Sequence, residues 1–275
     1  MNTYDPHATL EAISHNAIAV VGIGGLSILA MFVFFVEGAR MGRRDRVYPM
    51  ALWMTALWWP HDGSYLLHFG DWFGGRYDHW FMQLFWFAII VTFIAETVFA
   101  WQTIRYGRDE LSPGRSDREH AARIVGAMAA GVISWALLKG ALEDDLYLLS
   151  FMATLLWGGP SASAMLGRRP DGRGQSLLEW ICFSIMAVCY SVTSIFFFGG
   201  GFFHSWQYVG ICVAACLWSF VIIVDARRVG VPLTSWSASP SRVVYLLKAT
   251  KGEDLAMSSA PTSVESHESS LHDRR

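Results

Sequence analysis

The chain has 275 residues, of which 53% are hydrophobic and only 16% are charged, and its formal net charge is −2. Soluble domains carry roughly 25% charged residues, so this composition excludes an ordinary soluble domain. The charges cluster between apolar stretches of about 20 residues, the length that crosses a bilayer. The sequence therefore predicts an integral, multi-pass membrane protein, and the small net charge offers no general basic field for nucleic acid.

Seven apolar segments follow a polar N-terminal segment, residues 1–15, that lacks the features of a cleavable signal peptide. They predict an all-α fold, a bundle of seven transmembrane helices within residues 16–228. A composition rich in Ser, Pro and Thr predicts a cytoplasmic, largely disordered tail over residues 229–275. The segments run approximately over residues 16–39, 47–70, 79–104, 124–142, 146–166, 177–199 and 206–226.

Basic residues are distributed unequally among the connections. Arginines crowd the connections that follow the first, third, fifth and seventh segments, whereas the alternate connections contain few basic residues. The positive-inside rule therefore predicts an N-terminus outside the membrane and a cytoplasmic C-terminus. A bacterial plasma membrane and an endoplasmic reticulum membrane are both compatible with this pattern.

Asp62 is an acid inside the second apolar segment. A charged carboxyl group is costly in hydrocarbon, so such a residue pairs, faces water or stays protonated as a usable acid. His61 and Tyr65 are spaced i, i+4 beside it, and Pro60 removes one intrahelical hydrogen bond nearby. A helix that runs on from Arg46 places Asp62 about 24 Å away, in the outer half of the membrane and close to its outer rim.

Three further acids are candidates for the same chemistry. Glu96 lies well inside the third segment, and Glu143 and Asp144 end the fourth segment in a short outer turn. Solvated turn residues are an equally good interpretation of Glu143 and Asp144, and a structural pair is an equally good interpretation of Glu96.

Metal and nucleophile motifs are missing from the sequence. Histidines and aspartates occur near the predicted outer side, but no HxxxH pair is present, and that spacing is the usual way for one helix to offer two zinc ligands. Neither GxSxG nor a coherent Ser-His-Asp spacing occurs. We therefore expect no metal site and no cofactor.

A buried acid among many aromatic rings suits one chemistry particularly well. A protonated carboxylic acid starts a carbocation, and ring faces stabilise migrating positive charge without acting as nucleophiles. The side chains placed to line such a cavity are Trp58, Trp59, Tyr65 and Trp135.

Three features also carry a resemblance to a known family. They are the run Asp45-Arg46-x-Tyr48-x-Met50-Ala51, the acid seventeen residues after that Asp, and the run Arg173-Gly174-x-Ser176-x-x-x-Trp180. Over roughly residues 37–225 the chain resembles the paxilline-type membrane-bound terpene cyclases, the seven-helix cyclases of indole-diterpene and meroterpenoid pathways. Glu143 falls where that family has an acidic turn.

The resemblance implies protonation of a terminal epoxide or alkene on a prenyl chain, followed by ring closure, with Asp62 as the initiating acid. That family usually carries Glu at this position and a second acid in the seventh helix, in an Asp-x-x-Tyr motif. Here the only candidate is Asp225, at the cytoplasmic end and about 20 Å from Asp62 along the membrane normal. We expect Asp225 to pair with the adjacent arginines, and the partner acid to be Glu143, Asp144 or Glu96.

The sequence as a whole predicts a membrane-bound terpene cyclase whose partners are a lipophilic prenylated molecule and membrane lipid. The alternatives are a non-enzymatic transporter or sensor of small ligands and a metal-dependent intramembrane hydrolase. The catalytic candidates are Asp62, Glu143 and Glu96. The candidates for substrate binding are Trp58, Trp59, His61, Tyr65, Trp135 and Asp144.

Overall fold

The computed structural model describes residues 4–237, and most of the predicted tail lies outside the described residues. Within the described part the chain is helical and contains no strand. Three four-residue helices lie in the connections. The longer helices are α1 (Pro6–His15), α2 (Ala17–Asp45), α3 (Leu52–Leu67), α4 (Trp80–Tyr106), α5 (Asp117–Leu142), α6 (Leu148–Arg168), α7 (Leu177–Phe197) and α8 (Trp206–Val229).

Each of the seven apolar segments is helical, and α2 to α8 correspond to them in order. Five of these helices, α2, α4, α5, α7 and α8, are long and apolar enough to cross a membrane. The chain is therefore a multi-pass membrane protein. The sequence prediction of seven spans and of their orientation goes beyond this finding.

The helix ends follow local chemistry. Ser116 and Ser176 begin α5 and α7 with capping boxes, in which the serine hydroxyl accepts from a backbone N–H and a glutamate three residues later accepts from the serine N–H. α3 begins at Leu52, five residues later than predicted. Arg46 ends α2 in the left-handed conformation (φ 52°), and Pro49, which lacks an N–H and disfavours helix before it, keeps the chain non-helical up to Ala51.

The helix α3 occupies the centre of one half of the bundle. It packs against α4, α5 and α6, whereas α7 packs against α2 and α8, and α8 also packs against α6. A contact between α2 and α4 joins the two halves. Because α3 has neighbours on three sides, side chains on most of its faces are buried, Asp62 among them.

The two sequence runs that carry the family resemblance contact each other at one end of the bundle. The Gly174 N–H donates to Asp45 Oδ2 (2.9 Å), and Gln175 Nε2 donates to the Pro49 carbonyl (2.5 Å). Gly174 has a φ of +76°, and a Cβ at that position would lie 2.4 Å from Val47 Cγ2. Glycine is therefore required there on grounds of both conformation and space.

A buried arginine holds the same end together. The Arg169 guanidinium donates through Nη1 to the Tyr48 carbonyl (2.8 Å), and its Nε and Nη2 both lie 2.9 Å from Glu110 Oε2. Tyr48 donates its hydroxyl to Glu110 Oε1 (2.5 Å). Burial, and then this hydrogen bond, raise the pKa of Tyr48 to about 12. The entry to α3 is thereby fixed to the end of α6.

Residues 231–237 follow α8 and pack back across this end of the bundle. The Leu177 N–H, unpaired within α7, donates to the Pro232 carbonyl (2.8 Å). The Ser235 hydroxyl donates to Glu37 Oε2 (2.8 Å), so the buried carboxylate on α2 has a partner from beyond α8.

We expect Arg169→Lys to lower the free energy of unfolding by about 2 kcal/mol. A lysine supplies the charge but not the planar fork that reaches Glu110 and the Tyr48 carbonyl together. Thermal unfolding in detergent measures the effect. Arg173→Lys is the control, because that side chain is half exposed and pairs with Asp171 at the surface. Equal stability of the two variants would contradict the role given to Arg169.

Candidate functional site

Asp62 lies in a buried polar cluster between α3 and α4. Its Oδ1 lies 2.8 Å from His61 Nδ1, and the Thr92 hydroxyl donates to its Oδ2. Glu96 lies one helical turn beyond Thr92 on α4, is 1% exposed, and lines the same cavity as Asp62. The structure therefore brings two carboxyl groups to one small cavity, with no arginine or lysine among its lining residues.

The cluster lies at the mid-level of the long helix α4. Thr92 is about 18 Å along the helix from Trp80 and about 21 Å from Tyr106. Asp62, which contacts Thr92, is therefore deeper than its predicted position close to the outer rim. The prediction counted a continuous helix from Arg46, whereas α3 begins only at Leu52.

The acid cavity is small and incompletely satisfied. Its volume is about 10 Å³, which is room for about one water molecule. Glu96 Oε2 and His61 Nε2 are buried and have no hydrogen-bond partner. Each such atom costs roughly 1–3 kcal/mol when no water molecule bonds to it.

A larger apolar chamber adjoins this cavity. Its volume is about 670 Å³, and it lies between α2, α4, α6 and α7 beside a π-helical turn, Val20–Gly24. Met31 and Phe151 line both the chamber and the acid cavity. The chamber opens on the outside of the bundle beside exposed Leu26 and Leu84.

The lining of the chamber is almost entirely apolar. Three hydroxyl-bearing side chains line it, and each donates to a backbone carbonyl instead of facing the space with its hydrogen. Ser27 donates to Met186 (3.1 Å), Thr193 to Cys189 and Tyr190 to Leu148. A ligand in the chamber therefore finds these donors already used.

Trp58, His61 and Trp135 lie at or beside the acid cavity. Trp58 lines it and donates its Nε1–H to the Thr154 carbonyl (3.1 Å). The Trp135 ring centre is 4.9 Å from that of His61, edge to face, and its Nε1 donates to Ser64.

Tyr65 and Trp59 lie elsewhere. Tyr65 is fully buried, stacks on Trp72 and donates its hydroxyl hydrogen to the Met82 carbonyl (2.9 Å), which joins the C-terminal end of α3 to the start of α4. Trp59 stacks on Phe93 and donates to Thr97 on an exposed side of the same two helices. Neither residue lines the acid cavity.

The structure separates the three candidate partner acids. Glu143 is exposed, and it ends α5 with a left-handed backbone conformation (φ 47°). Asp144 is buried and accepts from the Leu148 and Ser150 N–H groups, so it caps the start of α6. Only Glu96 shares a cavity with Asp62. Thr92 and Glu96 are spaced i, i+4 and so share a face of α4, but no sequence pattern indicates that this face meets Asp62.

Asp225 lies where the sequence predicted. Its Oδ1 is 4.0 Å from Arg228 Nη1, at the end of α8, and the side chain is partly exposed. The predicted pairing with an adjacent arginine is confirmed. Among residues 4–237, no group of three or more His, Cys, Asp and Glu side chains is placed to hold a metal ion.

Pro60 and Gly131 set the approach of α5 to the site. Pro60 lies inside α3 and has no N–H, so the Ala56 carbonyl one turn earlier lacks its helical donor. A Cβ built on Gly131 of α5 would lie 2.1 Å from this carbonyl oxygen. The absence of a side chain at Gly131 therefore lets the α5 backbone pass directly over the Ala56 carbonyl.

Comparison of the chain with protein-family models, with curated proteins and with solved structures found no match. The geometry of the site therefore carries the functional argument.

We expect Gly131→Ala to destabilise the protein by about 1–3 kcal/mol, because the added methyl group overlaps the Ala56 carbonyl oxygen and forces α5 away from α3. The midpoint of thermal unfolding in detergent checks this. Gly126→Ala is a matched control on the same helix, since its added Cβ meets no atom within 4 Å. The control should be neutral or slightly stabilised, because alanine favours a helix more than glycine does, and a loss as large in the control as in Gly131→Ala would refute the packing explanation.

Proposed function

We propose that this protein is a membrane-bound terpene cyclase that starts the cyclisation of a prenyl or epoxyprenyl chain by protonation. The observation that carries the proposal is the shared wall of the two cavities, because Met31 and Phe151 line both the acid cavity and the apolar chamber. A hydrocarbon chain held in the chamber would have its end against Met31 and Phe151, with the two carboxyl groups behind these side chains, so protonation requires the two side chains to move aside.

The proposed proton donor is the pair Asp62 and Glu96. The cavity is water-poor and no arginine or lysine lines it, so a charge on either carboxyl group is costly there. His61 and Thr92 hold Asp62 in place from two sides. They act as positioning residues, and the two acids hold the proton on the far side of the wall that Met31 and Phe151 form.

The proposed reaction conserves the proton. The acid pair protonates the epoxide oxygen, whose tertiary C–O bond breaks, or the less substituted carbon of the terminal alkene, and either step leaves a tertiary cation. A neighbouring double bond attacks that cation and forms the ring C–C bond. Loss of a proton from the final cation to the carboxylate ends the reaction and restores the acid. The overall change is an isomerisation.

The chamber suits this chemistry in size and in lining. Small-molecule pockets are typically 300–1,000 Å³, and the chamber volume of about 670 Å³ lies within that range. Ring faces stabilise a nearby cation without forming a bond to it. The aromatic side chains that line the chamber are Trp80, Phe81, Phe85, Phe151, Tyr190 and Phe198.

We further propose that all seven helices α2 to α8 cross the membrane, with the N-terminus outside and the C-terminus in the cytoplasm of a bacterial cell or on the cytoplasmic face of an endoplasmic reticulum. The arginine-rich connections support this orientation. The short α3 and the largely buried α6 need less apolar surface than the other five, because neighbouring helices cover them.

Asp62→Asn and Glu96→Gln test the acid pair. We expect each to lower the rate of cyclisation by about 10²–10⁴-fold, since each removes a proton donor or its partner while preserving shape. Membranes that contain each variant are incubated with epoxidised and plain prenylated phenols, and isomeric cyclic products are quantified by mass spectrometry.

Glu143→Gln is the control for that experiment and should retain activity, because Glu143 is exposed at the end of α5. Retained cyclisation in Asp62→Asn, with normal expression, would refute the assignment. If wild-type membranes leave every prenylated phenol unchanged, the cyclase proposal fails and the transporter or sensor hypothesis takes its place.

Gly25→Phe tests the chamber independently of the acids. Gly25 lines the chamber, and a Cβ there meets no atom within 4 Å, so the ring fills the space without displacing the backbone. We expect KM to rise at least about tenfold for long prenyl chains and less for short ones. Gly126→Phe is equally unobstructed but lies on α5 away from the chamber, and it should leave KM unchanged for both long and short prenyl chains. Equal kinetics in the two variants would place the substrate elsewhere.

A further inference from the structure

A second groove adjoins the acid cavity, between α3, α5 and α6, and the proposed reaction does not use it. Its volume is about 810 Å³. Trp58 lines both this groove and the acid cavity, so its indole separates the two spaces. The groove walls are largely apolar and include Trp53 and Trp157, each of which is 59% exposed.

Charge is concentrated at one end of this groove, where Arg168 and Glu110 line it. Glu110 is already engaged by the fully buried Arg169, at 2.9 Å from both Nε and Nη2, and by the Tyr48 hydroxyl. Arg168 Nε is 3.7 Å from Glu110 Oε1, and the Arg168 side chain is 55% exposed. Two arginines thus share one carboxylate, and the surplus positive charge is on the exposed one.

We propose that this groove is a binding site for an anionic phospholipid of the surrounding bilayer, with an acyl chain along Trp53 and Trp157 and the phosphate at Arg168. Three observations favour a lipid. The groove borders α5, which is long and apolar enough to span a membrane. The exposed Trp53, at the start of α3, and Arg168, at the end of α6, lie where residues at a membrane interface are expected. Basic pockets between membrane helices select anionic head groups.

The experiment compares lipid retention by native mass spectrometry of the detergent-purified full-length protein, incubated with equal amounts of phosphatidylglycerol and phosphatidylcholine. We expect wild-type protein to retain phosphatidylglycerol preferentially. Arg168→Gln should weaken that retention about fivefold and abolish the preference. Arg227→Gln is the matched control, an exposed arginine at the end of α8 outside the groove, and should behave as wild type.

A second variant tests the groove without altering charge. Ala164 is exposed and lines the groove, so Ala164→Trp fills it and should reduce retention of both lipids, whereas Ala129→Trp on the exposed face of α5 should not. Equal retention of the two lipids by wild type, or equal loss in Arg168→Gln and Arg227→Gln, would overturn the proposal. So would displacement of the phospholipid by stoichiometric farnesyl diphosphate or by inorganic phosphate, because the site would then hold a prenyl diphosphate or a free anion.

Discussion

Two carboxyl groups buried in one small cavity of an apolar bundle are the constraint on which the rest of this structure depends. Asp62 is held by His61 and Thr92, and Glu96 lies one turn away from Thr92. Carboxyl groups placed so deeply are costly to keep charged. The bundle keeps them at a specific level by surrounding α3 with three helices and by leaving almost no space for water around the acids. Burying the two carboxyl groups lowers the stability of the bundle and holds the groups in a fixed geometry.

The entry to α3 explains how that level is set. Arg46 ends α2, Pro49 delays the next helix, and the loop that contains them accepts hydrogen bonds from Arg169 and Gln175 of the α6–α7 connection. Since the start of α3 is fixed, the rise of the helix fixes the depth of Asp62. The two runs that carry the family resemblance are therefore one structural unit, although more than a hundred residues separate them. The helices between them must have lengths that bring the two runs to the same end of the bundle.

Much of the fold could be predicted from hydropathy, and the errors have identifiable causes. Each apolar segment is helical because a backbone in hydrocarbon must satisfy its own hydrogen bonds, and that requirement leaves a pattern in any single sequence. The delayed start of α3 was missed because the pattern of apolar residues continues through Val47 to Ala51, where only Pro49 signals a break. Asp144 and Glu143 were both plausible acids by position. Which of them turns inward to cap α6 depends on the left-handed residue at the end of α5, a tertiary feature without a clear sequence mark.

The partner of Asp62 could not be chosen from sequence because the choice depends on which helices are neighbours. Glu96 and Asp62 lie on separate helices, and no period within one helix relates them. If the proposed reaction holds, this pairing also explains why the chain has Asp rather than Glu at position 62 and why it has no acid in the middle of α8. The shorter Asp62 is held by His61 and Thr92 rather than reaching into the chamber itself, and the longer side chain of Glu96 lies beside it in the same cavity. A second acid on α4 then makes an acid in the middle of α8 unnecessary, which is consistent with the position of Asp225 at the end of that helix, paired with Arg228.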